Sequence, residues 1–234
     1  WARERGVDVL EEPVDISPHV HAFNGGVLID AQAQSTVPGL FACGEVAGGP
    51  HGANRIGGNQ FAGTQVFGRR AGRFAAEWAA GADVPATDQE QVDEASQRLS
   101  KVHRDARART TGIDPRALQR SIQAAMWNEM GVSKDAASLA RCLDALETVQ
   151  DDLSSLCLSE GRHLFLALSL PHLLRTARVI AQAAAMRQES RGPHYRVDFP
   201  ARDDQNFGQG IFVTQTQGRL AFRFGTLDDQ PVLG

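Results

Sequence analysis

The sequence predicts a mixed α and β fold dominated by helices, in which the last part of an α/β ligand-binding domain is followed by a helical bundle with a terminal β-hairpin. Three stretches lead to this prediction. Residues 38–72 carry a short apolar run, a glycine-rich loop and a helical segment; residues 91–188 carry apolar stripes at helical spacing; and residues 211–224 alternate around Gln217-Gly218. We expect the domains to cover residues 1–82 and 83–234, since a polar, proline-bearing segment occupies residues 81–88.

In the first domain, the apolar run Leu40–Cys43 is short enough to predict a buried strand, and the alternating segment Val27–Asp30 predicts another. Gly44-Glu45 follows the apolar run directly. The carboxylate of Glu45 then lies just past the carboxyl end of a strand, where open α/β sheets bind their ligands. We therefore expect Glu45 to accept hydrogen bonds from the hydroxyl groups of a ribose or ribityl chain.

The loop that follows is rich in glycine, which lets a backbone approach a flat or phosphorylated ligand closely. A helix is predicted over Gln60–Ala80, and Arg55 stands just before it. A cation at a helix start opposes the helix macrodipole, and a bound carboxylate would resolve that conflict. His51 and the amides of Gly57 and Gly58 would favour an anion at the same place. The alternative is that Arg55 forms an ion pair with an acidic residue elsewhere.

In the second domain, four amphipathic helices are predicted between residues 91 and 188. Asp114-Pro115 has the residue types of a helix start, and Gly131 those of a helix end. Because each helix has neighbours in the same chain, we expect the apolar faces to form a core and not a partner-binding surface. The apolar stripes are Val92, Ala95, Leu99, Val102 and Ala106; Leu118, Ile122, Met126 and Met130; Leu139, Leu143, Leu146, Val149, Leu153 and Leu156; and Leu173, Leu174, Ala177, Ile180, Ala181 and Ala184.

Composition excludes several classes of protein. The net charge is −4 with both signs interspersed, so no nucleic-acid partner is expected. The three cysteines are scattered, which favours buried reduced thiols over a disulfide framework. His19 and His21 have the spacing of a metal pair, but no third ligand is nearby and no metal site is expected. No stretch reaches the roughly 18 uninterrupted apolar residues of a membrane span, so we expect a cytoplasmic protein, peripheral on a membrane at most.

The run GEVAGGPHGANRIGGN at residues 44–59, followed by VFGRRAG at 66–72, resembles the flavoprotein family of succinate dehydrogenases, fumarate reductases and L-aspartate oxidases. The resemblance implies that FAD is the cofactor and that Gly44, Glu45 and Asn59 belong to its binding site. It also implies that Gln60 and Phe61 lie against the flavin. These two residues stand where the family usually has Ser-Leu, which is a departure from its pattern.

The same resemblance implies two residues that bind substrate. Arg55, the arginine of HGANR, would hold a carboxylate of a small dicarboxylate. His21 stands five residues before the second glycine of Gly25-Gly26 and matches a family histidine that helps to bind a substrate carboxylate. Asn24 replaces the methionine that usually precedes the two glycines.

The charged segment 189–200 is unlike core sequence, and its ESRG-x-H portion resembles the junction between the helical and FAD domains of that family. We therefore expect it to dock the two domains together. Arg191 and His194 have either a structural role there, which we favour, or a place near the active site.

The resemblance covers nearly the whole chain but only the carboxyl-terminal portion of such a flavoprotein. The sequence lacks a GxGxxG fingerprint, the histidine that carries FAD covalently in some members, and the capping domain with the arginine that donates the proton. It is thus expected to begin inside a domain and to be inactive alone. The implied partners are the amino-terminal half of the same flavoprotein and an iron–sulfur or other electron-transfer subunit.

The implied function is that of an FAD-dependent oxidoreductase that transfers a hydride between flavin N5 and a small dicarboxylate. None of the family's proton donors is present, so no catalytic residue is assigned. One alternative is an L-aspartate oxidase-like enzyme. The other is a non-catalytic helical scaffold that carries a remnant of a nucleotide-binding site.

Overall fold

The computed structural model describes residues 3–8, 10–11, 13, 20–83, 86–109, 111–158, 163–216 and 219–226. Of the described residues, 54% are helical, which confirms the prediction of a fold dominated by helices. Its helices are α1 (Asn59–Gly81), α2 (Gln89–Ala108), α3 (Pro115–Glu129), α4 (Ala136–Asp152), α5 (His163–Met186) and the short α6 (Asp204–Phe207).

The strands of the described residues form three separate pairs. β1 (Val27–Leu28) pairs in parallel with β2 (Ala47–Gly48), and β3 (Ser133–Lys134) pairs in parallel with β4 (Tyr195–Arg196). β5 (Gly210–Thr216) and β6 (Arg219–Gly225) form an antiparallel hairpin. The structure therefore contains the predicted hairpin, while its turn at residues 217–218 lies outside the described residues.

Helices α3, α4 and α5 pack on one another and form the main core. The start of α3 is fixed by the Asp114 carboxylate, which accepts a hydrogen bond from the Arg116 N–H at 2.7 Å, with Pro115 in the first turn. The start of α4 is a capping box between Asp135 and Ser138. These caps fix where the helices begin, so that their apolar faces meet. Fully enclosed apolar side chains of α3, α4 and α5 include Ile122, Leu139, Cys142, Leu146, Leu170, Leu174 and Ala181.

The longest helix, α5, has the length and apolar composition of a membrane-spanning helix. It contacts α2, α3 and α4, and the residues on its inner face are buried at a spacing of three and four. It is therefore the central helix of the bundle. The buried inner face consists of His163, Ala167, Leu170, Leu174, Ala177, Ala181 and Ala184.

The apolar face of α2 is less buried than its sequence predicts. Ala106 is enclosed near the end of the helix, but Val92 is 47% exposed and Leu99 is 52% exposed. The reason is that α2 packs on α5 and makes no comparable contact with α3 or α4. The expectation that all four helices bury their stripes against one another was therefore wrong for the first part of α2.

The expected strand at Leu40–Cys43 is also absent. Phe41 forms a single bridge to Gln34, and Leu40 is half exposed. The Ala42 N–H donates to the Ala33 carbonyl at 3.0 Å, so the segment folds onto the preceding turn instead of joining a sheet. Its inner side chains still pack in a small second core with Ile29, Ala33, Ala71 and Phe67.

The three cysteines are free. Cys142 is fully buried in the bundle, and this burial raises the pKa of its thiol. Cys43 and Cys157 are half-buried.

Contrary to expectation, the charged junction segment, which we define as residues 187–204, contributes to the interior. Glu189 is 0% exposed. Its Oε1 accepts hydrogen bonds from Arg187 Nη1 at 2.6 Å and Arg191 Nε at 2.7 Å, and its Oε2 accepts from Arg191 Nη2 and from the Asp203 N–H, both at 2.9 Å. Burial raises the pKa of this carboxyl, but the hydrogen bonds from Arg191, Asp203 and Arg187 outweigh it and lower the pKa to about 2.

Arg196 is the second buried charge of the junction segment, at 1% exposed. Its Nε and Nη2 donate to the two carboxylate oxygens of Asp198 at 2.8 and 2.7 Å. Its Nη1 donates to the carbonyls of Ala184 and Arg187 at the end of α5, each at 3.2 Å. These hydrogen bonds satisfy the guanidinium, which also lies where the helix dipole favours a cation. Because every buried charge here has a partner, the segment can be interior without being apolar.

Candidate functional site

A groove lies between the chain just before β1, the loop that follows residue 44, and the first turns of α1. Glycines form much of its surface, so backbone is accessible along the groove. The lining residues are Phe23, Asn24, Gly25, Gly44, Glu45, Ala47, Gly49, Pro50, His51, Gly52, Arg55, Gln60, Gly63, Thr64 and Phe67.

The parallel pairing of β1 and β2 fixes one side of this groove. Val27 pairs with Ala47, which brings Gly26 and Gly48 into close contact. A Cβ on Gly48 would lie 2.8 Å from the Gly26 nitrogen, and a Cβ on Gly26 would overlap the Val46 carbonyl oxygen. Only glycine therefore permits this close approach of the two strands.

Glu45 connects both sides of the groove. Its Oε1 accepts a hydrogen bond from the Phe23 N–H at 2.7 Å, and its Oε2 accepts one from Gln60 Nε2 at 3.2 Å. A carboxylate has about four lone-pair sites, so these two donors leave acceptor capacity free. The side chain is solvent-exposed and can reach hydroxyl groups of a bound ligand.

Arg55 lies in the groove, and no carboxylate of the described residues pairs with it. Its Nε is buried and, among the described residues, has no hydrogen-bond partner. The alternative in which Arg55 pairs with a protein carboxylate finds no support in the described part of the chain, where no such pair occurs. A buried guanidinium nitrogen without a partner is costly, so the arrangement favours an anionic ligand.

The start of α1 adds to this positive field. Its N-cap is Gly58, which has φ of 83° and provides no side-chain cap, and the first turn holds no acidic residue. The amide groups of a helix start are donors that need acceptors. Together with Arg55, they make this end of the groove suited to a carboxylate or a phosphate.

His51 lies against α1 at Gly63. A Cβ at residue 63 would come within 3.0 Å of both Cε1 and Nε2 of the imidazole. This contact explains one helix glycine that the propensity scale disfavours. Gly68 and Gly72 meet nothing within 4 Å in the described residues, so their presence has no comparable explanation here.

Of the seven residues that the sequence assigned to cofactor or substrate, four line the groove together: Gly44, Glu45, Arg55 and Gln60. Gly44 has φ of 78°, a left-handed conformation that glycine adopts readily. The structure thus brings an arginine, a carboxylate and an amide side chain around one space.

The other three residues that the sequence assigned to cofactor or substrate do not line the groove. His21 and Asn59 are exposed, and Phe61 is 75% exposed. Their assignments to substrate and cofactor stay predictions. His19 lies outside the described residues, and within the described ranges no group of three His, Cys, Asp or Glu residues is placed to hold a metal ion.

The sequence reasoning missed Phe23, Thr64 and Phe67 as lining residues. A signal for the last two existed, because Gln60, Thr64 and Phe67 are spaced by four and three residues and share one face of a helix. Phe23 had no such signal, since its place depends on the long-range hydrogen bond from its N–H to Glu45.

Two protein-family models match the chain. The FAD binding domain matches residues 3–61, and the model described as fumarate reductase flavoprotein C-term matches residues 119–232. The first match contains the segments around the groove up to the start of α1, and the second contains most of the helical bundle and the hairpin.

Individual proteins support the same relationship. The chain is 39% identical over 199 residues to one subunit of the fumarate reductase (CoM/CoB) of Methanothermobacter marburgensis, covering 83% of this chain and 35% of the relative. It is 36% identical over 219 residues to L-aspartate oxidase of Streptomyces coelicolor, covering 90% of this chain and 36% of the relative. The chain thus spans about a third of the length of these curated relatives.

A solved structure of quinol fumarate reductase FrdA from E. coli matches the fold with a TM-score of 0.88 and 28% identity. The match covers 99% of this chain and 41% of that one. The predicted fold class and the predicted cofactor, FAD, are therefore both confirmed. The chain belongs to the family of FAD-dependent flavoproteins that comprises succinate dehydrogenases, fumarate reductases and L-aspartate oxidases.

Proposed function

We propose that this chain forms one wall of an active site that oxidises or reduces the CH–CH bond of a small dicarboxylate in a longer flavoprotein. The observation that carries the proposal is Arg55, whose buried Nε has no partner among the described residues although it lies in a groove. A planar guanidinium binds a carboxylate through two parallel hydrogen bonds, which fixes the orientation of the substrate as well as its position.

The residues of the groove fit FAD. Glu45 retains acceptor capacity for ribose or ribityl hydroxyls, and the loop glycines with positive φ expose backbone to a flat ligand. The bound cofactor supplies the hydride acceptor or donor for the reaction. In the proposed site, Gly44, Glu45, Asn59, Gln60 and Phe61 contribute to its binding.

Arg55 and His21 have the task of holding substrate carboxylates. A dicarboxylate gripped at fixed positions can present its central carbons to the cofactor in one orientation, and such positioning lowers the barrier of a transfer reaction substantially. The positive end of α1 assists by stabilising the bound anion.

The rest of the flavoprotein is proposed to supply the other walls. Apolar side chains near the groove are strongly exposed, with Ile56 and Phe61 each at 75% and Val46 at 59%. Large apolar side chains exposed to this degree are suited to being covered by another part of the protein. We propose that the amino-terminal half of the same flavoprotein covers it and that this chain alone is inactive.

A further electron-transfer subunit, iron–sulfur or other, is proposed as a partner. Support comes from the relative in Methanothermobacter marburgensis, which is named as one subunit of its fumarate reductase. A cytoplasmic location, peripheral on a membrane through such a partner, fits this proposal.

The substrate is proposed to be fumarate or succinate. The match to an L-aspartate oxidase at 36% identity favours aspartate as a second candidate. Aspartate, like fumarate and succinate, has two carboxylates that Arg55 and His21 could hold. Turnover with each of the three compounds distinguishes them.

In the flavoprotein that carries this chain, Glu45→Ala is expected to weaken FAD binding more than it slows the chemical step. Loss of a charged hydrogen bond costs about 1.5–3 kcal/mol, which corresponds to an increase in Kd of about ten- to a hundredfold. The measurement is flavin content after dialysis together with the turnover number per bound FAD. As a control, Asp30→Ala removes a carboxylate that likewise accepts two hydrogen bonds, here from the Gln32 and Gln34 N–H groups, but lies outside the groove. Unchanged flavin retention in Glu45→Ala would refute the assignment.

A further inference from the structure

The junction segment touches the loop that carries Arg55. Gly192 has φ of 56°, and a Cβ there would lie 2.9 Å from the Cβ of Asn54 and 3.1 Å from the Ala53 carbonyl oxygen. These atoms belong to backbone or to the root of a side chain, so they cannot move aside by a rotamer change. The contact is made by the residues immediately before Arg55.

The junction side of this contact is firmly held. Arg191 and His194 exchange backbone hydrogen bonds at 2.8 and 3.1 Å, which closes a tight turn with Gly192 at its tip. The Arg191 side chain is tied to Glu189 and, through Nη2 at 2.7 Å, to Asp204. His194 Nε2 lies 3.3 Å from the Arg187 carbonyl oxygen. The tip is therefore anchored to the buried charges at the end of α5.

The loop side has few restraints of its own. Within residues 49–59, the backbone hydrogen bonds are Gly52 N–H to Gly49 carbonyl at 3.2 Å and Asn59 N–H to Ile56 carbonyl at 3.1 Å. Among the described residues, Ala53, Asn54 and Arg55 form no backbone hydrogen bond. A loop with so few internal bonds depends on its neighbours for a fixed conformation.

We propose that Gly192 is a positioning residue for Arg55: the tip of the junction segment supports the Ala53–Asn54 backbone and so holds the Arg55 guanidinium in the groove. The inference rests on the proposed function for what Arg55 binds. It assigns to the helical domain a part in substrate binding, although none of that domain's described residues lines the groove.

The test uses the flavoprotein that carries this chain, with Gly192→Ala. The added Cβ should push residues 53–54 away and displace Arg55, and a displacement of about 1 Å can lower a rate by about a hundredfold. We expect the Kd of malonate, a dicarboxylate with no reducible bond, to rise about tenfold or more, as measured by its effect on the flavin spectrum. Amide hydrogen exchange of the peptide covering residues 49–58 should become faster, and FAD content should stay unchanged.

Two further variants separate positioning from loss of stability. Gly112→Ala places a Cβ 2.5 Å from the Ser155 carbonyl oxygen, within the helical domain, and should lower Tm without changing the malonate Kd or loop exchange. Asn54→Gly removes the nearer of the two atoms that the new Cβ meets. A double-mutant cycle of Asn54→Gly with Gly192→Ala should therefore show that part of the defect is relieved, since contacting residues are energetically coupled.

The outcomes are distinct. Equal malonate Kd and equal loop exchange in the wild type and Gly192→Ala would overturn the positioning role while leaving the proposed function intact. A wild type whose flavin spectrum does not respond to malonate would contradict the proposed function and, with it, this inference. Faster loop exchange with weaker malonate binding supports it.

Discussion

Arg55→Lys in the flavoprotein that carries this chain is expected to lower kcat/KM for the dicarboxylate by about a hundredfold or more while FAD stays bound. A lysine keeps the charge but has a single flexible ammonium, which cannot form two parallel hydrogen bonds to a carboxylate. Lysine also lacks the Nε–H group, which in Arg55 is buried without a partner among the described residues and is therefore a donor for the substrate. Steady-state kinetics and the flavin-to-protein ratio measure the two effects separately.

The control for this experiment is Arg73→Lys. Arg73 is on the same helix-loop unit, outside the groove, and pairs on the surface with Glu77 at 2.7 Å. Its replacement should leave kinetics and flavin content unchanged. If Arg55→Lys instead lost FAD along with activity, Arg55 would be part of cofactor binding; if its kinetics were near normal, the substrate role would be wrong.

The largest effect on stability is expected for Glu189→Gln, which keeps the size of the side chain and removes its charge. Arg187 and Arg191 are mostly buried, and both donate to this carboxylate. Removing one member of a buried ion pair typically destabilises a protein by about 3–5 kcal/mol. Urea denaturation followed by circular dichroism measures the change. The matched control is Glu147→Gln on the exposed side of α4, which should have little effect.

The same variant should change the response to acid. The pKa of Glu189 is lowered to about 2 from an ordinary value of 4.5, so the folded state favours the ionised form. Its contribution to stability is complete above pH 4.5 and is lost as pH falls towards 2. Asp198, whose pKa is also lowered to about 2 by hydrogen bonds from Arg196, adds to this loss. Glu189→Gln should therefore lose less stability than the wild type over that range; an identical acid dependence would contradict the structural role of Glu189.

Local sequence signals determined much of this fold. Asp114-Pro115 predicted the start of α3, and the structure shows the predicted cap. Alternation predicted the hairpin of β5 and β6. These features depend on hydrogen bonds and periodicities within a few residues, so sequence reasoning can identify them.

The errors came from long-range contacts. An apolar run such as Leu40–Cys43 becomes a strand only where a neighbouring strand pairs with it, and here its hydrogen bonds go to the turn at Ala33 and Ser35. Val92 and Leu99 in the stripe of α2 stay exposed because α2 packs on α5 and makes no comparable contact with α3 or α4. Glu189 and Arg196 were expected outside the core because isolated charges are rarely buried, and their partners are known only once the chain has folded.

In the candidate site, too, residues with a local sequence signal were predicted and those that depend on long-range contacts were not. Glu45 and Arg55 were found because a glycine-rich loop between an apolar run and a helix has a recognisable sequence. Gly192 was not, since its contact with Asn54 joins parts of the chain that are far apart in sequence.

The most direct test of the dicarboxylate site is the visible absorbance of the purified flavoprotein that carries this chain. Without oxygen, a chemical reductant should bleach the flavin band, and fumarate should restore it within the turnover time, whereas a monocarboxylate of similar size should not. This result requires a bound flavin and a site that grips two carboxylates. A colourless protein, or a reduced flavin that fumarate does not reoxidise, would contradict the proposed function, and the colourless result would favour a non-catalytic scaffold.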